Sequence, residues 1–470
     1  MKKTKIIATI SSKQCDPPFL QKLYAAGMDA VRMNTAHLNM EQASVIIDNV
    51  RAVSDRIPIM IDTKGPEIRT SECAQDIPVR TGDTIYFRGD KSGETTPECV
   101  CVSYDSFAEE LDPGDRILID DGDIELAVLA RDPHGLKCEV RNDGLIRGRK
   151  SINLPGVKVR NLPSLSAKDI EFVKFAADRD IEFIAHSFVR RKEDIIAIQE
   201  ILDAKNSRIK IIAKIENREG VDNIDEILDH AYGAMIARGD LAIEIPAQQI
   251  PLIQKNLVKK CIERRKPVII ATQMLQSMIH SPRPTRAEVS DVANACLDGT
   301  DAVMLSGETA SGKYPLESIQ MMATIADEIE SSRNTFLNTP YEPENTITSY
   351  LAKSAVKASM RLNTRALVAD TISGRTIRSL AAYRGLNTVF AQCYNQRVKR
   401  ELAISYGIHA NFMEADLTSH EFLQNALIRL LREGHFNGDD LITVLAGNFG
   451  SDYGASFIEI NTAENMLKRK

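Results

Sequence analysis

Two runs decide the fold: Ile209-Lys210-Ile211-Ile212-Ala213-Lys214-Ile215-Glu216-Asn217 and Met235-Ile236-Ala237-Arg238-Gly239-Asp240-Leu241-Ala242-Ile243-Glu244-Ile245-Pro246. Each is a short β-rich segment that stops abruptly at charge: Lys214 and Glu216 in the first, Asp240 in the second. Between them Val221, Ile224, Ile227 and Leu228 recur at helical spacing, which predicts a helix over Val221–His230. Strand, helix and strand with polar residues at both strand ends form one unit of a parallel β/α fold, whose chemistry sits at the carboxyl edge of the sheet. One lysine and two carboxylates converging there suggest a divalent metal beside a fixed cation, a combination suited to phosphate or an enolate. The alternative reading of the two carboxylates is an ion pair with Lys214 or Arg238.

Outward from this unit the same rhythm continues. Before it, strands are expected at Lys5–Ile10, Ala30–Asn34 and Ile57–Asp62, with helices near Pro18–Ala26 and Met40–Val53. From about Thr70 to Asn153 the segments become short and alternating, broken by Gly82-Asp83, Gly89-Asp90, Pro113-Gly114-Asp115 and Asp121-Gly122-Asp123. Such hairpin turns indicate a small all-β domain inserted into the β/α chain. Strands then return at Ile181–Ala185, Ile209–Ala213, Ala234–Ala237, Val268–Ala271 and Ala302–Leu305. Three strands before the insert and five after it make a closed barrel of eight. A Pro- and Asn-containing linker near Asn338–Asn345 precedes a helix (Ser349–Leu362), a strand (Ala366–Asp370) and further β/α units, an open α/β domain. The expected organisation is an α/β chain: a (β/α)8 TIM barrel over 1–70 and 154–343, a β-barrel lid over 71–153, and an α/β C-terminal domain over 344–470.

Bulk composition narrows the function. The 470 residues are 43% hydrophobic and 26% charged, ordinary for a globular chain, and the net charge of −6 offers no footprint for nucleic acid. No apolar run approaches the length of a spanning helix, so no membrane partner is expected. The run from Met1 to Ile10 is too short in apolar residues for a secretion signal and reads as an opening strand. The eight cysteines are scattered without zinc spacing, which points to reduced thiols in a cytoplasmic protein.

The strand ends hold the unusual polar residues. The second ends in Arg32-Met33-Asn34-Thr35-Ala36-His37, the third in Asp62-Thr63-Lys64-Gly65-Pro66-Glu67-Ile68-Arg69, and the fourth in Ser187-Phe188-Val189-Arg190. The fifth and sixth give Lys214, Glu216 and Arg238-Gly239-Asp240; the last two give Thr272-Gln273-Met274 and Ser306-Gly307-Glu308-Thr309. In a barrel all face one mouth. Glu216 and Asp240, on neighbouring strands, can share one Mg²⁺. Gly239-Asp240 offers helix-start amides to a carboxylate, and Gly239 allows close approach to the backbone. Arg283-Pro284-Thr285-Arg286-Ala287-Glu288 begins a helix running to Leu297, with Pro284 and Thr285 in its first turn and Glu288 as a capping residue; its charges could equally serve a subunit contact.

With these residues assembled, the chain closely resembles the pyruvate kinase family. The matching stretches are Asp62–Thr70, Ile152–Val157, Ile209–Val221, Met235–Pro246, Ala271–Met278 and, longest, Pro282–Pro315. The resemblance implies transfer of the phosphoryl group of phosphoenolpyruvate to ADP, giving pyruvate and ATP, in a cytoplasmic homotetramer. It implies that Lys214 neutralises the phosphoryl and enolate oxygens, that Glu216 and Asp240 hold Mg²⁺, and that Arg32 contacts the phosphoryl group. Thr272, with the Gly239 and Asp240 amides, would hold the substrate carboxylate and help position the water that protonates enolpyruvate. A second Mg²⁺ would arrive with the nucleotide, and His37, Arg69 and Lys150 match positions that meet the nucleotide or close the lid. Asn34, Asp62 and Thr63 match ligands of K⁺.

Three positions depart from the family: Ser11-Ser12 where Gly-Pro is usual, Ala36 where a K⁺-ligating serine is usual, and Ala242 for Gly. Ala36 removes one hard oxygen, while Glu67 matches the acidic residue that accompanies K⁺ dependence, so the expectation is K⁺ dependence with reduced affinity. In the C-terminal domain, Thr371-Ile372-Ser373-Gly374-Arg375-Thr376 before a helix forms a phosphate cradle. By family position Thr371, Ser373, Gly374, Arg375 and Thr376 would hold a sugar-phosphate effector; alternatively the loop is an unregulated cap, and the loop from Gly447 to Gly454 lacks the Thr-Asn pair common there. Two rival functions stay in view. Another Mg²⁺-dependent barrel enzyme acting on pyruvate enolates needs no nucleotide lid, so the insert argues against it. A non-catalytic scaffold on this fold would not need Lys214, Glu216, Asp240 and Thr272 intact.

Overall fold

The computed structural model describes residues 2–332, 346–414, 419–447 and 454–468. The expected linker at 338–345 and positions 448–453 of the late C-terminal loop lie outside the described residues.

Eight parallel strands close a barrel: β1 (Lys5–Thr9), β2 (Ala30–Asn34), β3 (Ile59–Asp62), β4 (Phe183–His186), β5 (Lys210–Ile215), β6 (Gly233–Ala237), β7 (Val268–Ala271) and β8 (Ala302–Leu305). Each strand pairs with its neighbours in sequence, and β1 closes on β8 with Lys5 opposite Ala302. Period-2 alternation with both faces apolar is what such strands require. Ile7, Met60, Ile212, Met235, Ile269 and Met304 fill the barrel, while Ile6, Ile61, Ala213, Ile236 and Ile270 pack outward under the helices.

Local signals place the helices. Asp16 accepts the Phe19 N–H to start Pro17–Ala25, and Asn39 with Gln42 forms a capping box for Met40–Val53. The helix Arg286–Asp298 starts two residues later than a first turn holding Pro284 and Thr285 would. Thr285 is its N-cap, its hydroxyl accepting the Glu288 N–H at 3.2 Å while Glu288 reaches back, so Pro284 precedes the helix. The single helix expected over Val221–His230 is two, Arg218–Asp222 and Ile224–His230. Asn223 breaks it: its backbone leaves helical geometry and its side-chain amide donates to the Arg190 carbonyl at 3.0 Å.

The insert after β3 is a seven-stranded, largely antiparallel sheet that runs from Ile68–Arg69 at one edge to Cys99–Val102 at the other. A single bridge between Thr70 and Val102 joins the two edges, giving the barrel-like closure. A two-stranded ribbon, Ile77–Val79 with Gly144–Ile146, and one helical turn, Phe107–Glu110, complete it. The C-terminal domain is an open five-stranded sheet in the order 408–412, 389–393, 366–371, 441–446, 457–462, with only the last strand antiparallel.

This domain docks against the amino-terminal ends of the barrel strands. Arg384 is buried; it donates to Asp301, just before β8, at 2.7 Å and to the Gly299 carbonyl at 2.8 Å. Asp301 also accepts the Tyr406 N–H at 2.9 Å. Glu182, just before β4, is shared by Arg51 of the barrel and Arg400 of the C-terminal domain. The opposite, carboxyl-terminal mouth of the barrel is therefore left facing the lid.

Candidate active site

Lys214 lies near the carboxyl end of β5 and is buried. Its Nζ donates to Ser187 Oγ at 2.7 Å and stands 2.9 Å from Glu216 Oε1 and 3.3 Å from Asp62 Oδ1. Burial alone would favour the neutral amine, but the two carboxylates outweigh it and hold the ammonium's pKa above its ordinary value. Arg32, at the end of β2, pairs with the other oxygen of Asp62 and donates to Thr9 Oγ1 at 3.2 Å. Burial would raise the Asp62 pKa, yet Arg32 and Lys214 together hold it below the usual carboxylate range.

Glu216 follows β5 directly, and Asp240 sits in the helix Arg238–Glu244 that follows β6. The two carboxyl groups stand close enough for each to bear on the other's ionisation. Glu216 Oε2 also accepts the Phe188 N–H at 2.7 Å, which requires Phe188 to take φ +55°, unusual for a bulky residue. Burial pushes the Glu216 pKa up to about 7, with Lys214 opposing and Asp240 adding to the rise. Asp240 is raised too, by burial first and also by Asp121, which the lid brings over it. Two adjacent carboxylates with affinity for a shared proton fit a divalent cation, which would relieve their repulsion and accept hard oxygen donors. Glu244, whose carboxyl accepts the Arg218 N–H at 3.1 Å, is likewise pushed up to about 7 by burial.

Thr272 holds φ +67° just past β7, a strained value for a β-branched residue and one that clusters at functional sites. That conformation aims its hydroxyl at Gly239, whose N–H it accepts at 2.7 Å, while it donates to the Ala271 carbonyl at 2.6 Å. A Cβ on Gly239 would meet Thr272 Oγ1 in ordinary contact at 3.5 Å and without backbone strain. Arg238 braces the turn from behind, donating to the Thr272 carbonyl at 2.9 Å and to Asp291 at 2.6 Å.

A cavity of about 180 Å³ separates barrel and lid. Asp240, Glu244, Asn217 and Arg218 line it from the barrel, Asp121 and Ser151–Leu154 from the lid side. Arg69 and Lys150 stand at the hinge: Arg69 pairs with Glu67 at 2.6 Å and donates to the Arg149 carbonyl, and Lys150 pairs with Asp120 of the lid at 2.9 Å. His37 is exposed on a 3₁₀ turn, Thr35–His37, at the barrel rim. Of the expected K⁺ ligands, Asn34 Oδ1 accepts the Ala36 N–H at 3.0 Å and the Thr63 carbonyl accepts from Ser187 Oγ at 2.7 Å. Thr35, a conceivable replacement oxygen for the missing serine, turns its hydroxyl to the Asp62 carbonyl at 2.8 Å. Its own carbonyl receives the Lys168 ammonium at 2.6 Å. In the C-terminal domain, Gly374 at φ +81° donates its N–H to Thr371 Oγ1 at 2.8 Å, and Ser373 and Arg375 are exposed.

Two residues acquire a role only from the folded contacts. Ser187 joins Lys214 to the β3 turn, and His186, wholly buried, meets Thr63 Oγ1 through Nδ1 at 3.1 Å. Their only signal was position at a strand end. Because the raised Glu216 pKa means a proton occupies the carboxylate pair below about pH 7, divalent metal must displace it there. Mn²⁺ affinity measured by electron paramagnetic resonance should fall by up to about tenfold per pH unit as pH drops from 7 towards 5, and change little above 8. A flat profile between 5 and 7 would show that metal binding displaces no proton from the pair.

The pyruvate kinase barrel domain matches residues 1–319, and the pyruvate kinase alpha/beta domain matches residues 349–460. The chain is 44% identical over 473 aligned positions to the pyruvate kinase of Borreliella burgdorferi, spanning 99% of this chain and 98% of that protein. With the pyruvate kinase of Geobacillus stearothermophilus it shares 41% identity, over 100% of this chain and 81% of the relative. The solved structure of a pyruvate kinase from Cryptosporidium parvum superposes with a TM-score of 0.93 at 34% identity, over 98% of this chain and 96% of that one. The chain therefore belongs to the pyruvate kinase family and carries its phosphotransferase function.

Proposed function

We propose that the mouth of the barrel binds phosphoenolpyruvate with its phosphoryl group between Arg32 and Lys214 and its carboxylate at Thr272 and the Gly239–Asp240 amides. ADP would enter from the lid side, past His37, Arg69 and Lys150. The observation that carries this reading is the buried, permanently charged Lys214, held between Asp62 and Glu216. A fixed cation costs no reorganisation when charge spreads over the transferring phosphoryl oxygens and the enolate. Glu216 and Asp240 would hold a Mg²⁺, which supplies Lewis-acid stabilisation of those oxygens when bound; a second would come with the nucleotide. Arg32 orients the phosphoryl group, and its pairing with Asp62 keeps the guanidinium in place. Thr272 Oγ1 positions the carboxylate and a water that delivers the proton to enolpyruvate. Closure of the 71–153 lid over the 1–70 and 154–343 barrel would exclude competing water.

The K⁺ proposal is a weakened site formed by Asn34, Asp62 and Thr63. It is supported by the methyl group of Ala36 in place of a hydroxyl and by the Lys168 ammonium on the same turn. The effector proposal uses the cradle Thr371, Ser373, Gly374, Arg375 and Thr376 in the domain over 344–470. It is supported by the N-terminus of the helix Arg375–Ala382, whose Gly374 N-cap has no side chain to cap it, and by the exposed Arg375. A homotetramer in the cytoplasm completes the proposal on family grounds, and the eight free cysteines accord with a reducing compartment.

Lys214→Met should leave unfolding unchanged in character and lower kcat by at least ~10³; a variant with near-normal turnover would remove Lys214 from the mechanism. Pyruvate formation with Mg²⁺ across a K⁺ titration from zero should rise with K⁺ and half-saturate later than in an Ala36→Ser variant. Identical curves for the two proteins would rule out the Asn34–Asp62–Thr63 site. Arg375→Ala should abolish activation by sugar phosphates and spare the basal rate, and activation that survives would clear that loop of any effector role.

A further inference from the structure

Away from the mouth, three potential metal ligands meet where the C-terminal domain touches the barrel. His409 lies on the edge strand Ile408–Phe412; Glu433 and His435 follow the helix Ser419–Arg432, with Gly434 at φ +74° turning the chain between them. One ligand atom from each lies within 4.8 Å of the others, the one such group of His, Cys, Asp or Glu among the described residues. The two imidazoles stand 5.1 Å apart, both against Phe390, at 5.5 and 4.6 Å. His435 Nε2 is 3.3 Å from Glu433 Oε2, while Arg429 Nε holds Oε1 at 2.9 Å. Arg56, from the loop before β3, reaches across to His409 Nε2 at 3.0 Å and donates to Asn411 Oδ1 at 2.7 Å.

We propose that His409, Glu433 and His435 form a binding site for a divalent first-row transition ion of the Zn²⁺ or Co²⁺ kind, in exchange for the Arg56 contact. Two imidazoles and one carboxylate select such ions over Mg²⁺, Ca²⁺ or K⁺, which prefer all-oxygen sites. Three protein ligands leave a position for water, and Phe390 fixes the ring planes. His409 and Glu433 need lose no proton at neutral pH. Burial, together with Arg56 and His435, lowers the His409 pKa to about 4; burial raises that of Glu433, but Arg429 more than offsets it. Arg56 and the ion compete for His409 Nε2 and repel one another, so metal binding releases a barrel-to-C-terminal-domain contact. Nothing in the catalytic mouth uses these residues.

The test uses the full chain with Co²⁺ in the presence of excess Mg²⁺, which fills the Glu216–Asp240 pair. Four-coordinate Co²⁺ with nitrogen ligands absorbs strongly in the visible, and six-oxygen Co²⁺ absorbs weakly. The expected result is one equivalent of strongly absorbing Co²⁺ per chain, bleached by Zn²⁺. His435→Ala should weaken its binding by at least ~10-fold and Arg56→Ala should tighten it. Should His435→Ala fail to fold, Glu433→Gln, which keeps the side chain's shape, must show the same weakening. Absence of the strong band in the unmodified chain, or its survival with unchanged affinity in both ligand variants, would overturn the site.

Discussion

The mouth of the barrel is organised by a deficit of positive charge. Two fixed cations, Arg32 and Lys214, face three carboxylates, Asp62, Glu216 and Asp240. Asp62 takes contacts from both cations and ionises easily, so the shortfall falls on the other two, whose pKa values rise. In low dielectric such an imbalance is costly, and it is removed by a proton or a cation. Lys214 cannot be moved without exposing the whole imbalance, because its single ammonium touches Asp62, Glu216 and Ser187 at once. The imbalance sits at Glu216 and Asp240, the side on which a cation would relieve it.

Much of the barrel was legible because its strands obey simple rules. Short, mainly apolar runs of four to six residues mark the eight strands, and most of them lead straight into the hydroxyl, amide or charged residues that gather at their ends. Boundaries were harder wherever a side chain far away decides them. Asn223 breaks a helix of good periodicity because its amide finds the Arg190 carbonyl, thirty-three positions earlier, and no helical pattern records that partner. Thr285 displaces Pro284 from the helix because a capping box satisfies two amides at once, which a proline at the same place cannot do. The lid was readable as β from its turns, yet the Thr70–Val102 bridge that closes it joins residues with no local signature.

The site divides in the same way. Lys214, Glu216, Asp240 and Thr272 could be singled out because charged or hydroxyl residues directly after apolar strands are conspicuous. The strain at Thr272 and Phe188 could not, since neither is a residue type that advertises a left-handed backbone. Asp62 illustrates the limit best. Its sequence position suggests a cation ligand, but its two oxygens are engaged by Arg32 and Lys214, bonds that depend on strands β2 and β5 flanking the same mouth. Ser187, quoted among the strand-end residues, could be given no role for a related reason: it matters only because Lys214 points at it from a neighbouring strand.

The geometry also constrains how the C-terminal domain can influence catalysis. Its contacts, Arg384 with Asp301, Arg400 with Glu182 and Arg56 with His409, all fall beside residues that precede a barrel strand. The candidate site groups gather at the strand ends on the opposite side. Strands of four to six residues span roughly 13–20 Å, so any signal must cross the barrel lengthwise through a close-packed interior. Close-packed strands transmit displacement stiffly, and a shift of Asp301 or Glu182 would move β8 or β4 as a unit. β4 leads directly into Ser187 and Phe188, whose hydroxyl and amide hold Lys214 and Glu216. Of the docking contacts, the Arg400–Glu182 pair and the Arg397 bond to the Ile181 carbonyl, both just before β4, therefore have the shortest mechanical route to Lys214.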